Sequence, residues 1–128
     1  GIAAATGEFI LLLNPDTEVP ADQMDALARL VDFLQSRPQA GAVSPALILP
    51  DGSVQDSVRG FPSPMALVGA LTGLARLLPH TPLGSYKPRC LPADRPSEVD
   101  QPMASAFLVR REALDAEPFD PQFPLFFN

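Results

Sequence analysis

This chain has very few of the residues on which thiol, imidazole or metal-thiolate chemistry is built. Its 128 residues include one cysteine, one histidine, one tyrosine and no tryptophan. A lone Cys90 excludes an intramolecular disulfide framework and fits a reducing compartment. Its flanks, Pro88, Arg89, Leu91 and Pro92, read as loop, and no histidine stands near it, so the thiol is read as inert. His80 lies between Pro79 and Thr81-Pro82 with no second ligand close by, which makes it a poor metal candidate. Basic residues are scarce and scattered: nine Lys and Arg against fifteen Asp and Glu give a net charge of -6, and Arg110-Arg111 is the only adjacent basic pair. That balance argues against a nucleic-acid partner. No apolar run reaches the ~18 residues a membrane-spanning helix needs. Gly1 to Gly7 has no basic start, so no secretory leader is expected there.

Apolar residues and proline are what the chain does have. At 46% hydrophobic it can build the core of one domain, and its sixteen prolines predict long irregular connections. The most informative stretch is Phe9-Ile10-Leu11-Leu12-Leu13, five apolar residues that stop at Asn14-Pro15-Asp16-Thr17-Glu18-Val19. Bounded by Gly7 and Pro15, so short a run reads as a strand buried on both faces, as in a parallel sheet. Pro15 cannot donate to a ladder and ends the strand. Asn14, Asp16 and Glu18 then offer hard oxygen atoms at its carboxyl end, the edge where open α/β sheets bind ligands. A carboxylate there is well placed to hold a divalent cation against a phosphate. The same residue types also make ordinary turns and helix caps, so both readings stand at this point. A calcium loop does not fit, because its sixth position needs Gly and the chain has Val19 followed by Pro20.

Further along, Met24, Leu27, Val31 and Leu34 recur at helical spacing and predict an amphipathic helix from Pro20 to Ser36. Pro20 suits its start, and Asp22 and Asp25 complement its positive end. Gly41 to Leu49 reads as a second strand interrupted at Pro45, Pro50-Asp51-Gly52-Ser53 as a turn, and Val54 to Val58 as a short returning strand. Pro64 to Leu78 predicts a helix that is apolar around most of its circumference, with Arg76 its only charge, and such a helix is expected to be buried, either in its own domain or against something else. Residues 79–98 hold five prolines and read as a long mobile loop. Ala104 to Val109 reads as a third buried strand, Arg110 to Leu114 as a helical turn, and Phe119-Asp120-Pro121-Gln122-Phe123 as a turn flanked by aromatics.

Four of these pieces, in this order, resemble the inverting family-2 glycosyltransferases of bacteria, above all their rhamnosyltransferase-like branch. Ala5 to Thr17 looks like that family's metal-site strand. Asp51-Gly52-Ser53-Val54-Gln55-Asp56-Ser57, with Arg59, Phe61 and Pro62, looks like its mid-domain hairpin. Val99-Asp100 followed by Ala106-Phe107-Leu108-Val109-Arg110-Arg111-Glu112 looks like its acceptor-side strand, and Phe119-Asp120 with the aromatic run to Asn128 looks like the lead into its catalytic-base motif. The resemblance implies an α/β fold, a partial GT-A fold with a mixed sheet flanked by helices. Residues 1–128 would form the middle and C-terminal part of one catalytic domain. It places Asp16 as the ligand of Mg²⁺ or Mn²⁺ and Asn14 with Asp16 against a UDP- or dTDP-sugar donor. Ser105, Ala106 and Asp120 fall on the acceptor side, which would take a glycan or lipid-linked acceptor. The general base is expected just after Asn128, and the strands that grip the nucleotide are expected before Gly1. The isolated chain is therefore expected to be inactive and its parent to be cytoplasmic, at or near the inner face of the membrane.

Two departures stand out. Ser105-Ala106 replaces the family's usual Gly-Ala pair, and Glu117-Pro118 replaces its usual Gly-Gly. Asp120 also reads as a turn-capping residue, and Arg59 as either a phosphate contact or a solvated loop residue. The rival reading is a non-catalytic interaction module in which the helix at 64–78 is the working surface; pairing of two copies is compatible with either reading.

Overall fold

The structure is a computed structural model that describes residues 2–86, 91–92 and 94–114. In chain order its strands and helices are β1 (Phe9–Leu13), α1 (Ala26–Gln35), β2 (Ala42–Val43), β3 (Val58–Arg59), α2 (Pro64–Thr72), α3 (Leu74–Leu77), β4 (Gln101–Pro102) and β5 (Ala106–Arg110), with short 3-10 turns among them. The chain divides into two compact units. One runs to Pro45 and resumes at Ala104; the other spans Ala46–Met103.

In the first unit β5 is the central strand, with β1 on one side and β2 on the other. Both neighbours run antiparallel to it, Leu13 facing Ala106 and Val43 facing Leu108. This corrects the parallel, doubly buried strand expected at 9–13, and every strand pair among the described residues is antiparallel. An unbroken apolar run carries no information about the direction of its partner. Among the described residues β1 is paired on one side only, with β5; Ile10 is buried, whereas Leu13 is 46% exposed. The core gathers instead on β5, where Ala106, Leu108 and Val109 are buried, and on α1, where Leu34 is fully enclosed. Burying that one leucine contributes about 2 kcal/mol.

The helix expected from Pro20 begins later. Ala21–Gln23 forms a 3-10 turn, and α1 proper starts at Ala26. Met24 therefore falls outside the packed stripe and is 71% exposed. Asp25 makes no capping bond but pairs with Arg29 one turn on, at 3.3 Å. Both partners are well exposed, so the pair contributes only a few tenths of a kcal/mol. The other end of α1 is held by Arg110, the one buried charged residue among the described residues. Its Nε donates to Ala40 O at 3.0 Å and its Nη2 to Leu34 O and, at 3.5 Å, to Arg37 O. The last carbonyls of a helix have no intrahelical donor and form its negative end, so a guanidinium fits there on both counts.

In the second unit the predicted turn at 50–53 forms, closed by Leu49 N–H to Ser53 O at 2.8 Å and Gln55 N–H to Leu47 O at 2.8 Å. The returning strand does not: only Ile48 and Val54 pair, and Val58–Arg59 pairs instead with Gln101–Pro102. The helix expected at 64–78 is two helices. Ser63 Oγ accepts from Ala66 N–H at 3.1 Å and Pro64 supplies the fixed φ of a first turn, so the start matches the sequence signals. Gly73, at φ 77°, then breaks the run into α2 and α3. A 3-10 turn at Pro82–Gly84 lies within the proline-rich segment and packs on α2. A Cβ at Gly69 would stand 2.1 Å from Leu83 O, so only glycine permits that approach. Within this chain the helical segment is buried only in part. Ala66 and Gly69 are buried, but Leu71 is 83% and Leu77 is 77% exposed. No described helix is long and apolar enough to cross a membrane.

Candidate functional site

The carboxyl ends of β1 and β2 both arrive at the amino end of β5, because both strands run against it. Residues 14–17 therefore meet Ser105 and Ala106 on one side, and Ser44 meets them on the other. Past Leu13 the ladder continues for one bond, Asn14 N–H to Ser105 O at 2.9 Å. The chain then turns: Thr17 N–H donates to Asn14 O at 3.1 Å, with Pro15 and Asp16 at the two central positions. Proline pre-sets the backbone angle needed at the first of these. The turn is also pinned from outside, since Thr17 Oγ1 donates to Ser105 O at 3.1 Å. On the other flank Ser44 Oγ donates to Ala106 O at 2.9 Å. Two hydroxyls thus occupy the carbonyls of Ser105 and Ala106 where β5 begins.

The residues expected on the donor side, Asn14 and Asp16, are in this way brought to the same strand end as Ser105 and Ala106, expected on the acceptor side. Asp120 lies outside the described residues, as do Glu117, Pro118, Asn128 and Cys90. Thr17 and Ser44 went unremarked in the sequence, although a hydroxyl closing an Asn-Pro-Asp turn is a recognisable lock. Arg110 was read as the start of a helical turn and as part of the segment likened to the acceptor-side strand; its role as a buried clamp had no sequence signal beyond its place at the end of a strand. Arg59 is neither a loop residue nor fully solvated. It is half-buried on β3, with its guanidinium 5.4 Å from the centre of the Tyr86 ring.

Asn14 and Asp16 are exposed, and among the described residues neither side chain has a hydrogen-bond or ion-pair partner. Asp51 makes the contrast. Its Oδ1 accepts from Ser53 N–H at 2.9 Å and Ser53 Oγ at 2.6 Å, and those bonds hold its carboxyl below the ordinary value of 3.8. Asp51 serves its own turn, whereas the carboxylate of Asp16 does not. Glu18, Asp22 and Asp25 follow within nine residues and Arg29 is the first cation after them, so the local field favours a cation. Among the described residues no three His, Cys, Asp or Glu gather tightly enough to form a metal cage. The donor set therefore suits one mode of cation binding: a single carboxylate that shares a hard divalent ion with phosphate oxygens of a substrate.

Comparison with known proteins bears on the class of reaction alone. No family model and no solved structure matches the chain. It is similar to the N-acetylglucosaminyl-diphospho-decaprenol L-rhamnosyltransferase of Mycobacterium tuberculosis, in strains CDC 1551 / Oshkosh and ATCC 25618 / H37Rv alike. Identity is 34% over 108 residues, which is 83% of this chain and 33% of the relative. The likeness is to a glycosyltransferase. The chain spans about a third of that relative's length.

Proposed function

We propose that this chain carries the cation-holding turn and part of the acceptor side of a bacterial glycosyltransferase. The whole enzyme would move a sugar, with inversion, from a UDP- or dTDP-sugar to a glycan or lipid-linked acceptor in the cytoplasm. The observation that carries the reading is the convergence of the Asn14–Thr17 turn with Ser105 and Ala106 at one strand end, the Asp16 carboxylate having no partner among the described residues. The 34% identity to a rhamnosyltransferase supports the same class of reaction. In this reading Asp16 ligates Mg²⁺ or Mn²⁺ and the Asn14 amide orients the donor's diphosphate. A divalent cation held there would stabilise negative charge on the departing nucleoside diphosphate. Thr17 keeps the turn from moving as that charge develops, and Ser105 and Ala106 shape the approach of the acceptor. The base that takes the acceptor's proton is expected after Asn128.

The test is isothermal titration of UDP, and separately dTDP, with Mn²⁺ into the full protein that carries this chain, wild type beside Asp16→Ala. Metal-dependent binding that disappears in the variant is the expected result and shows which nucleotide to pursue. Binding unchanged by the substitution would return Asp16 to a plain turn residue. A folded protein with no nucleotide binding would favour the non-catalytic interaction module.

A further inference from the structure

The second unit encloses an open hollow of about 320 Å³. Ala66 and Ala70 of α2, Ala75 of α3 and Leu83 form an apolar wall, and Arg59, Arg76 and Tyr86 line the remainder. Two close backbone approaches set this shape. Gly69 lets Leu83 come up against α2, as described above. Gly60, just past β3, donates its N–H to Ser85 O at 3.1 Å, and a Cβ there would stand 2.6 Å from that oxygen. Residues 83–86 are therefore held against both α2 and β3, and the hollow is built by the fold itself. Its volume lies at the small end of ligand pockets, roughly 300–1,000 Å³.

Local pairing, not net charge, identifies the ligand. The unit carries as many acids as bases, yet among the described residues neither guanidinium has an ion-pair or hydrogen-bond partner. Arg59 is half-buried, and the Tyr86 ring, 5.4 Å from its guanidinium, orients it without occupying its N–H groups. Gln101 stands opposite Arg59 in the β3–β4 pair, on the same face of the ribbon. Its Oε1 is buried and has no partner among the described residues, and a half-turn of the amide offers an NH₂ donor in its place. One guanidinium fork is enough for a carboxylate. Two guanidiniums from separate elements suit an anion with more oxygens and about two negative charges, such as a phosphate or diphosphate. The apolar wall lowers the local dielectric and strengthens that attraction.

We propose that this hollow binds a phosphate or diphosphate group, gripped by Arg59 and Arg76, with the alanine wall against the organic part that carries it. The site lies wholly within residues 46–103 and calls for no metal, so it goes beyond the cation-holding turn of the first unit and does not depend on it. Two sources offer the group: a nucleoside diphosphate and a prenyl diphosphate.

Amide NMR of the full chain, titrated with inorganic pyrophosphate in EDTA, tests it. The resonances of Ala70, Ala75, Arg76 and Tyr86 should shift and saturate, and sodium chloride at matched ionic strength should leave them in place. Arg76→Gln, at an exposed position whose change does not endanger the fold, should weaken binding about tenfold through loss of a charged hydrogen bond. Arg59→Gln should do the same, and the two together should abolish binding. Acetate should bind far more weakly than pyrophosphate. UDP and geranyl diphosphate under the same conditions distinguish the sources: whichever outcompetes pyrophosphate carries the organic part that the wall receives. The proposal is overturned by the absence of saturable shifts at the hollow, by binding that both substitutions leave unchanged, or by acetate bound as tightly. EDTA removes the cation on which the Asp16 reading rests, so failure here leaves the nucleotide titration as an independent test.

Discussion

Replacing Arg110 by methionine should cost the first unit about 4 kcal/mol, nearly all of it through hydrogen bonds to backbone carbonyls. Methionine keeps most of the apolar stem and removes the guanidinium. Two firm charged bonds are lost, to Ala40 O and Leu34 O, while the contact with Arg37 O at 3.5 Å is marginal. A hydrogen bond from a charged group contributes roughly 1.5–3 kcal/mol; Leu34 O keeps the Arg37 N–H at 3.1 Å, whereas Ala40 O loses the Arg110 donor. The guanidinium also lies 5.2 Å from the centre of the Phe9 ring, adding about 0.5–1 kcal/mol. The ion pair with Glu8, at 3.7 Å, contributes little because the Glu8 side chain is 70% exposed. A loss of this size is a large share of the roughly 5–15 kcal/mol that holds an ordinary domain folded. The chain has two units, so a single unfolding curve need not be two-state. Urea-dependent hydrogen exchange at the β1 and β5 amides reads the first unit alone. Arg110→Lys should recover less than half the loss, since an ammonium cannot reach separate carbonyls as a fork does. Glu8→Gln should cost under about 0.5 kcal/mol. A cost below about 1 kcal/mol for Arg110→Met, or an equal cost for Glu8→Gln, would refute the clamp.

Three further outcomes follow from the same contacts. Gly69→Ala drives a methyl into Leu83 O and should destabilise the second unit by about 1–3 kcal/mol, read as faster proteolysis within 46–103; unchanged protection would show that the 3-10 turn at 82–84 is not packed as described. Thr17→Val removes one of the two donors to Ser105 O and should cost about 1 kcal/mol, seen as faster exchange of the Asn14 amide. For Asp51 the folded carboxyl titrates below its ordinary value of 3.8, so its support for the turn is complete above that pH and fades as the pH falls through the folded midpoint. Carboxyl carbon shifts followed from neutral pH downward should show that midpoint below 3.8, and Ser53→Ala should move it upward; a midpoint at or above 3.8 in wild type would contradict the bonds.

What the sequence revealed, and what it hid, divides by the range of the interaction. Local chemistry was legible: the start of α2 at Ser63-Pro64, the turn at Asp51-Gly52 with Gly52 at φ 84°, and the apolar strands at 9–13 and 106–109. These depend on residues within four positions of one another. Strand direction and partnership were hidden, because Phe9–Leu13 is equally apolar whether its neighbour runs parallel or against it. Val58 shows the same limit: it was placed at the end of the strand returning from the turn at 50–53, and it pairs with Pro102 instead. The reversed packing of α2 was hidden for a related reason. Composition alone cannot say which side of an almost wholly apolar helix faces inward, and here Gly69 and Ala66 settle it by allowing the closest backbone approach. For the candidate site, Asn14 and Asp16 were legible as oxygen donors after a strand, while the hydroxyls that lock Ser105 and Ala106 were not.

The two readings of residues 14–19 turn out to describe different atoms. The backbone there is a turn, closed by Thr17 N–H to Asn14 O and fastened to Ser105 by the Thr17 hydroxyl. Were Asn14 and Asp16 present only to make that turn, their side chains would be expected to bond the neighbouring amides, as Asp51 bonds Ser53. Among the described residues they bond nothing. Pro15 and Thr17 already hold the loop, so the carbonyl of Asn14 and the hydroxyl of Thr17 are sufficient for its shape. The Asp16 carboxylate is therefore dispensable to folding and oriented by a backbone that does not depend on it. Asp16→Ala should leave stability within about 0.5 kcal/mol of wild type, as at any exposed position without a partner. Thermal unfolding of the pair measures it. A loss well beyond that would mean the carboxylate builds the turn after all, and the case for a cation at its tip would fall with it.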